Sequence, residues 1–465
     1  MSPKPKKILI LLPDGVGLRN FAFTSFVEQG EKLGWEIKFW NLTPFDLAEM
    51  GYSEIKLRPK PRALTDLLKR AKIEAELNHF QEKFNDPVYE TYKFPSTSRK
   101  LKSRFKTALV SKLVSTYNGE KGLEILRKRL KDSERKSAFY RQCIKTLQQE
   151  KPDLVFCTNQ RPVNAIAPLT AAQDLGIPTG TFIFSWDNLP KATMVIQPDF
   201  YCVWSEYMKQ ELLKYYPFIQ KETVFITGSP QFEPHFDTAL LLDRDEFFKE
   251  HNLELSRKYL LFSGDDKTTC PDDPQYLRDI AEAVEKLNID GNKLGIIFRR
   301  CPVDFSDRYD SVLKKYKTLI VPIAPKWEKT GDSWNMILPT KADLKLLVNT
   351  IYHSEAVINL ASSMVFDAAL FNKPCLYLNY EVEDKSDSGW HPQKVYNFVH
   401  FRSMPSEEAV IWLTLKEEIP AKLENAVSNP DKQIEQAKHW FEKINLSPAY
   451  KASERIWNAL EKITE

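Results

Sequence analysis

The stretch Val357-Ile-Asn-Leu-Ala-Ser-Ser-Met-Val-Phe-Asp-Ala-Ala-Leu-Phe-Asn-Lys-Pro-Cys-Leu-Tyr-Leu-Asn-Tyr380 restricts the fold more than any other part of the chain. It reads as an apolar strand, a tight turn, a short helix, a Lys-Pro stop and a second apolar strand. Two strands joined by a helix run parallel, because the crossover returns the chain to the same end of the sheet. Parallel strands are buried on both faces, so they are written as continuous apolar runs. The same stretch puts two hydroxyls, Ser362 and Ser363, where the helix begins, and an acid, Asp367, one helical turn further on. Backbone N–H groups at a helix start are unpaired and partly positive. Such a turn suits a phosphate, and Asp367 can reach sugar hydroxyls beside it. Serine is equally a preferred helix cap, with the same geometry.

The pattern recurs along the chain. Lys7–Leu12 is a fully apolar strand, Asp14–Gly17 a turn, Asn20–Leu33 a helix and Trp35–Trp40 a second strand. Strands at Leu154–Cys157, Thr179–Phe184, Phe200–Trp204 and Val224–Thr227 follow, alternating with helices. A second run begins at Tyr259–Phe262 and continues through Gly295–Arg300, Thr318–Val321, Ala356–Leu360 and Cys375–Leu378. The 465 residues exceed one ordinary core. The expected architecture is α/β, with two Rossmann-like domains facing a cleft. The expected boundaries are 1–235, 236–430 and a helical segment 431–465 packing back towards the first domain. Residues 45–150 are polar, basic and helical in pattern, and read as an insertion in the first domain.

A net charge of +3 hides an asymmetry. Residues 1–150 hold 30 Lys+Arg against 18 Asp+Glu, a net of +12, and the remainder holds 36 against 45, a net of −9. The excess gathers in Arg99–Lys106 and Arg127–Lys131, followed by Arg135, Lys136 and Arg141. The plain reading is the solvated face of the insert. The sharper reading is peripheral docking to an anionic membrane or acceptor. No nucleic-acid motif accompanies the charge. No apolar run approaches the ~20 residues that span a bilayer. The burst Ile8–Leu12 is too short for a signal peptide, so a cytoplasmic protein is expected. Six cysteines without C-x-x-C spacing point to neither a zinc site nor a disulfide framework.

Ligands of open α/β sheets bind outside the carboxyl ends of the strands, so polar residues just after strands are the candidates. In the first domain these are Asp14, Arg19, Asn20, Thr158, Asn159, Arg161, Asp187, Asn188, Ser205 and Gly228. In the second they are Ser263, Gly264, Asp265, Arg299, Arg300, Ser362, Ser363 and Asp367. A strand-end arginine is a natural phosphate clamp. Asp14, Asp187 and His235 compete for the role of catalytic base. There is no P-loop, no G-x-S-x-G elbow and no complete dinucleotide fingerprint, since Gly15-Val-Gly17 lacks the third glycine.

Two Rossmann-like halves with Ser362-Ser-Met-Val-Phe-Asp-Ala-Ala-Leu-Phe-Asn-Lys-Pro374 resemble the GT-B superfamily of nucleotide-sugar glycosyltransferases. The segments Ser185-Trp-Asp-Asn-Leu189, Tyr201-Cys-Val-Trp-Ser205 and Thr227-Gly-Ser-Pro230 look like bacterial capsule and lipopolysaccharide transferases. CDP-glycerol glycerophosphotransferases and non-hydrolysing UDP-N-acetylglucosamine 2-epimerases are similar at the donor motif. The resemblance implies a donor diphosphate at Ser362-Ser363 and a donor ribose at Asp367. Retaining members often carry two glutamates where this chain has Asn359 and Asp367, so an inverting transfer is implied. The nucleotide-sugar is then a co-substrate, with no cofactor and no metal, and the acceptor is a glycan or lipid-linked molecule. Glycerophosphotransfer, sugar 2-epimerisation and non-catalytic nucleotide-sugar binding are the alternatives.

Overall fold

A computed structural model describes residues 5–93, 101–329 and 337–465. The chain forms two compact units, Met1–Gln231 with Ile444–Glu465, and Phe232–Lys443.

The first unit is built on seven parallel strands: β1 (Lys7–Leu12), β2 (Glu36–Asn41), β3 (Glu54–Lys56), β4 (Leu154–Cys157), β5 (Thr179–Phe182), β6 (Phe200–Val203) and β7 (Val224–Ile226). Their order is β3-β2-β1-β4-β5-β6-β7. β1 is central, with Leu9 paired to Lys38 on one side and to Val155 on the other. Its residues Ile8 to Leu12 are wholly buried, as a strand covered on both faces demands. The chain moves outward from β1 to β3, then crosses back through the helices Ala63–Phe84, Leu101–Thr116, Gly119–Arg135 and Ala138–Glu150 before β4. The basic insert is thus the crossover at which the sheet reverses direction.

The segment expected as one helix at Asn20–Leu33 is two, Val16–Phe21 and Phe26–Lys32. Between them the Thr24 hydroxyl donates to the Asn20 carbonyl, a local bond that competes with helix continuation. The last helix, Ala452–Thr464, belongs to the first unit. Its Trp457 stacks on Phe26 at 4.9 Å between ring centres and donates from Nε1 to the Phe26 carbonyl.

The second unit holds β8 (Lys258–Ser263), β9 (Leu294–Arg299), β10 (Ile320–Pro322), the antiparallel pair β11 (Glu328–Lys329) and β12 (Ile337–Leu338), then β13 (Ala356–Asn359), β14 (Cys375–Leu378) and β15 (Ile411–Leu413). The main sheet is parallel, in the order β10-β9-β8-β13-β14-β15. Residues 431–443 stay with this unit, where Trp440 meets Phe366 edge-on and donates to the Ser403 hydroxyl. The short strands β3 and β15 and the antiparallel β11–β12 pair have no counterpart among the strands expected from the sequence.

Candidate functional site

Each sheet has one place where consecutive connections leave in opposite directions. It lies between β1 and β4 in the first unit and between β8 and β13 in the second. Loops splay apart at such a switch point and leave a crevice at the carboxyl edge.

In the second unit the Ser362 turn flanks this point. Asn359, fully buried at the end of β13, accepts from the Ser362 N–H at 2.9 Å. Tyr377 of β14 donates to the Ser362 carbonyl at 2.8 Å. Ala361 takes a left-handed φ of 57°, which turns the chain sharply before the serines. The Ser362 hydroxyl accepts weakly from the Met364 N–H, at 3.3 Å. Ser363 stands at the N-cap position of the helix Met364–Leu370, but its side chain makes no capping bond. The helix has only seven residues. Asn359 is therefore a brace for this turn.

Arg299 ends β9 and pairs in register with Ser263 at the end of β8. It is buried, and its Nη2 donates to both carboxylate oxygens of Asp343, at 2.8 and 2.9 Å. Asp343 also accepts from the Lys326 N–H and the Trp327 indole. Arg299 Nη1 has no partner among the described residues. Arg300 donates to the carbonyls of Asp304 and Ser306. Neither arginine is a free strand-end cation, because each is committed in part to holding its own loop.

The loop after β8 lies between these features. Gly264 passes so close to Tyr309 and Asp273 that an added Cβ would sit 2.9 Å and 3.0 Å from their oxygens. The Asp265 N–H donates to Asp273 Oδ2, and its carbonyl accepts from Arg308 Nη2 and the Tyr309 hydroxyl. The single Tyr309 proton points mainly to the nearer Asp273 carboxylate, 2.5 Å away. Burial pushes the Asp273 carboxyl up to about 6. Burial, then the nearby Asp273 and Asp266, push Asp265 above its ordinary value. Asp273, Arg308 and Tyr309 were not among the sequence candidates, since no spacing signals their convergence.

His235 and Asp367 come together in the same unit. His235 Nε2 lies 2.9 Å from Asp367 Oδ1, off the line of a well-aligned hydrogen bond, and both side chains are buried. His235 thus stands beside the acid assigned to the donor ribose, and it belongs to the second unit, not the first.

In the first unit, Asp14, Asn159 and Arg161 assemble across the β1–β4 switch point. Asn159 Nδ2 donates to Asp14 Oδ2 at 2.8 Å, and the Val16 N–H donates to Oδ1 at 3.3 Å. Burial raises the Asp14 carboxyl above its usual range, opposed by the Val16 N–H, the Arg161 charge and Asn159. Asn159 Oδ1 accepts from the Arg161 N–H. Arg19 Nε and Asn20 Nδ2 are buried without partners among the described residues. Gly17 admits no side chain, since a Cβ would meet Thr158 Oγ1 at 2.3 Å. Asp187 and Asn188 sit one strand further out. Asp187 accepts from Asn188 Nδ2 and pairs with Lys191, while Asn188 accepts from Gln160. These contacts brace the loop after β5.

The charge of the insert is not all a solvated face. Arg127 is buried and pairs with Glu76 and Glu120. Lys131 donates to Gln173, and Arg135 forms a two-pronged pair with Asp174. Lys72, wholly buried, donates to Glu76 and to the carbonyls of Ala192 and Met194. Arg104, Lys106, Lys112, Lys128, Arg129, Lys136 and Arg141 are exposed. Arg99 and Lys100 lie outside the described residues. Among the described residues no helix is long and apolar enough to cross a membrane, and no side-chain cluster is arranged to hold a metal. The six cysteines are free.

The chain matches no protein-family model, and no curated protein matches it significantly. Solved structures do. A putative UDP-N-acetylglucosamine 2-epimerase from Listeria monocytogenes aligns over 99% of this chain and 97% of its own, with a TM-score of 0.55 at 12% identity. A glycosyltransferase from Rickettsia africae ESF-5 aligns over 99% of both chains, with a TM-score of 0.52 at 10% identity. The fold is GT-B. A UDP-GlcNAc 2-epimerase from Methanocaldococcus jannaschii shares it, over 98% of this chain and 99% of its own, with a TM-score of 0.51 at 15% identity. At these identities the likeness is one of fold alone, and the GT-B fold carries more than one chemistry.

Proposed function

We propose that this protein binds a nucleotide-sugar in its second unit and transfers the sugar to an acceptor held by the first, with inversion and without a metal. The observation that carries the reading is the braced Ser362 turn at the β8–β13 switch point, with Asp367 one helical turn beyond it. Its backbone N–H groups and serine hydroxyls would hold the diphosphate. Arg299 Nη1 and Arg300 would offset the charge of the departing diphosphate. Two of the three similar structures are UDP-GlcNAc 2-epimerases, one of them putative, which supports a UDP-linked ligand. Asp14 is the base of this scheme, because burial raises its carboxyl and Asn159 orients it. The acceptor is a glycan or a lipid-linked molecule. The exposed cations of the insert, with Phe105 73% exposed among them, would bring the protein to an anionic membrane surface.

The names of two of the three structures favour a second reading, sugar 2-epimerisation. One experiment separates the two. The protein is incubated with UDP-sugars in deuterated water, with and without glycan acceptors. UDP release that depends on acceptor supports transfer. Solvent deuterium at C2 of the sugar without acceptor supports epimerisation, since inversion at C2 breaks that C–H bond. Release of CMP from CDP-glycerol would replace both with phosphotransfer. Failure to bind any UDP-, GDP- or CDP-linked donor would sink the nucleotide-sugar reading itself.

A further inference from the structure

The nucleotide-sugar reading leaves unused a cavity of about 230 Å³ in the second unit. It lies between the helices Arg244–Glu250 and Lys341–Tyr352. Leu242, Phe247 and Leu346 give it an apolar wall. Phe247 is wholly buried and stacks on His353 at 4.9 Å between ring centres, which fixes that wall. Asn349, also on the lining, is spent on holding the wall together. Its Oδ1 accepts from the Leu242 N–H at 2.7 Å, and its Nδ2 donates to the carbonyls of Leu240 and Lys345, both at 2.8 Å. The space is therefore framed by bonded segments. Engineered apolar cavities of about 150 Å³ take up benzene, so this one has room for an aromatic or branched aliphatic body.

The cavity is not the donor crevice. Ala342, Lys345, Leu346 and Asn349 line it from one face of their helix, at i, i+3, i+4 and i+7. Asp343, which holds Arg299 at the proposed donor site, lies off that face. Lys326 and Glu250, both on the lining, stand 3.6 Å apart and half-exposed, a loose pair open to solvent. Lys345 makes no ion pair among the described residues. His251 also lines the space, and burial lowers its pKa, so its ring adds no charge at neutral pH. Two ammonium groups thus line an apolar space against one carboxylate. A fixed apolar wall with a few polar groups is the make-up of a small-molecule site, and the excess of positive charge selects an anion.

We propose that this cavity is a second small-molecule site, for an amphipathic monocarboxylate. Its aromatic or branched aliphatic body lies against Phe247 and Leu346, and its carboxylate meets Lys345. The proposal does not depend on the nucleotide-sugar reading.

The test measures binding of benzoate and 1-naphthoate, each beside its neutral alcohol, benzyl alcohol and 1-naphthalenemethanol. Calorimetry gives the affinities, and methyl NMR of Leu242 and Leu346 locates the probe. At least one carboxylate should bind saturably, shift those methyls and bind about fivefold or more tightly than its alcohol, as expected for one partly exposed charge pair. Lys345→Gln should erase most of that preference and leave the alcohol's affinity unchanged. Ala342→Trp, at an exposed helix position on the lining, should fill the space and weaken both probes by about tenfold or more. Thermal melts confirm that the variants are folded. No saturable binding of either carboxylate, equal affinity for carboxylate and alcohol, a preference kept in Lys345→Gln, unaltered binding in Ala342→Trp, or competitive displacement by UDP would each overturn the proposal. All five leave the nucleotide-sugar reading standing.

Discussion

Nε2 of His235 lies 2.9 Å from Oδ1 of Asp367, with both side chains buried. The imidazole comes from the start of the second unit, just after the chain leaves the first. Its ring packs on Phe371 at 5.2 Å between centres. Asp367, the acid proposed for the donor ribose, therefore has beside it a residue from far away in sequence. His235→Ala should weaken UDP binding and cost about 1–3 kcal/mol of stability, the range for disturbing a buried polar pair. Urea unfolding and UDP calorimetry on the same preparation check both. Unchanged affinity would mean that His235 packs there without orienting Asp367.

Arg299 looked like a phosphate clamp, and its place in the fold shifts the emphasis towards stability. Its Nη2 is spent on Asp343, which in turn holds the Lys326 N–H and the Trp327 indole. Arg299→Ala leaves a buried carboxylate without its cation, a change typically worth about 3–5 kcal/mol. Arg299→Ala with Asp343→Asn should recover part of that loss, because the stranded charge is gone. Denaturation of the two single variants and the double variant measures the coupling. Additive losses would show that the pair is energetically idle.

The insert is tied into the first unit by a buried ion network. Lys72 and Glu76 are wholly buried, and burial lowers the Lys72 pKa while it raises that of Glu76. Each opposes the other's shift by charge, and Lys72 also holds the carbonyls of Ala192 and Met194. Lys72→Met should destabilise by about 3–5 kcal/mol, since Glu76 loses its nearer cation and keeps only Arg127, and the carbonyls of Ala192 and Met194 lose their donor. Lys72→Met with Glu76→Leu should be milder. Hydrogen exchange should rise at 192–194 in the single variant, and unchanged protection there would remove the bracing role.

Much of the fold was legible because buried parallel strands announce themselves. β1, β4, β8 and β13 are unbroken apolar runs followed by polar residues. β3 and β15 escaped notice because three residues at a sheet edge carry too little pattern to separate from a loop. Asp14, Asn159 and Ser362 could be proposed from their places after strands. Only the strand order reveals that they flank the switch points. The gathering of Asp273, Tyr309 and Arg308 around the Asp265 backbone and the His235–Asp367 contact were hidden for another reason. Their members are brought together by tertiary packing, and no local period or motif spacing links them.

The C-terminal helix offers a steric test of its docking. Gly30 lies under Trp457, where an added Cβ would fall 2.1 Å from a ring carbon and 2.7 Å from Ile37. The ring cannot retreat easily, because Trp35 packs beside it and Nε1 is bonded to the Phe26 carbonyl. Gly30→Ala should cost about 1–3 kcal/mol by overpacking. Trp457→Ala should cost about 3–5 kcal/mol through its cavity. The double variant should fall short of the sum, since the smaller residue relieves the clash. Thermal melts of all three report this, and strict additivity would contradict the packing.

Asp14 sets the pH response of the proposed transfer. Burial raises its folded-state pKa, so the ionised base is present only above that raised value. Turnover should therefore fall as pH drops through a point above the ordinary carboxylate range, and hold on the alkaline side of it. The stability linkage runs the opposite way. A raised acid favours the fold when protonated, so its contribution is full below the unfolded pKa and is lost as pH rises through the folded one. Asp14→Asn should lower turnover by about 10²–10⁴-fold, the usual worth of a general base. It should also leave the fold slightly more stable than wild type at pH 8, because no buried charge has to be kept. Asn159→Ala removes the donor that offsets this burial, and should push the acid limb of the rate profile higher still. An acid limb that stays put in Asn159→Ala, or an Asp14→Asn variant with full turnover, would move the base elsewhere in the first unit.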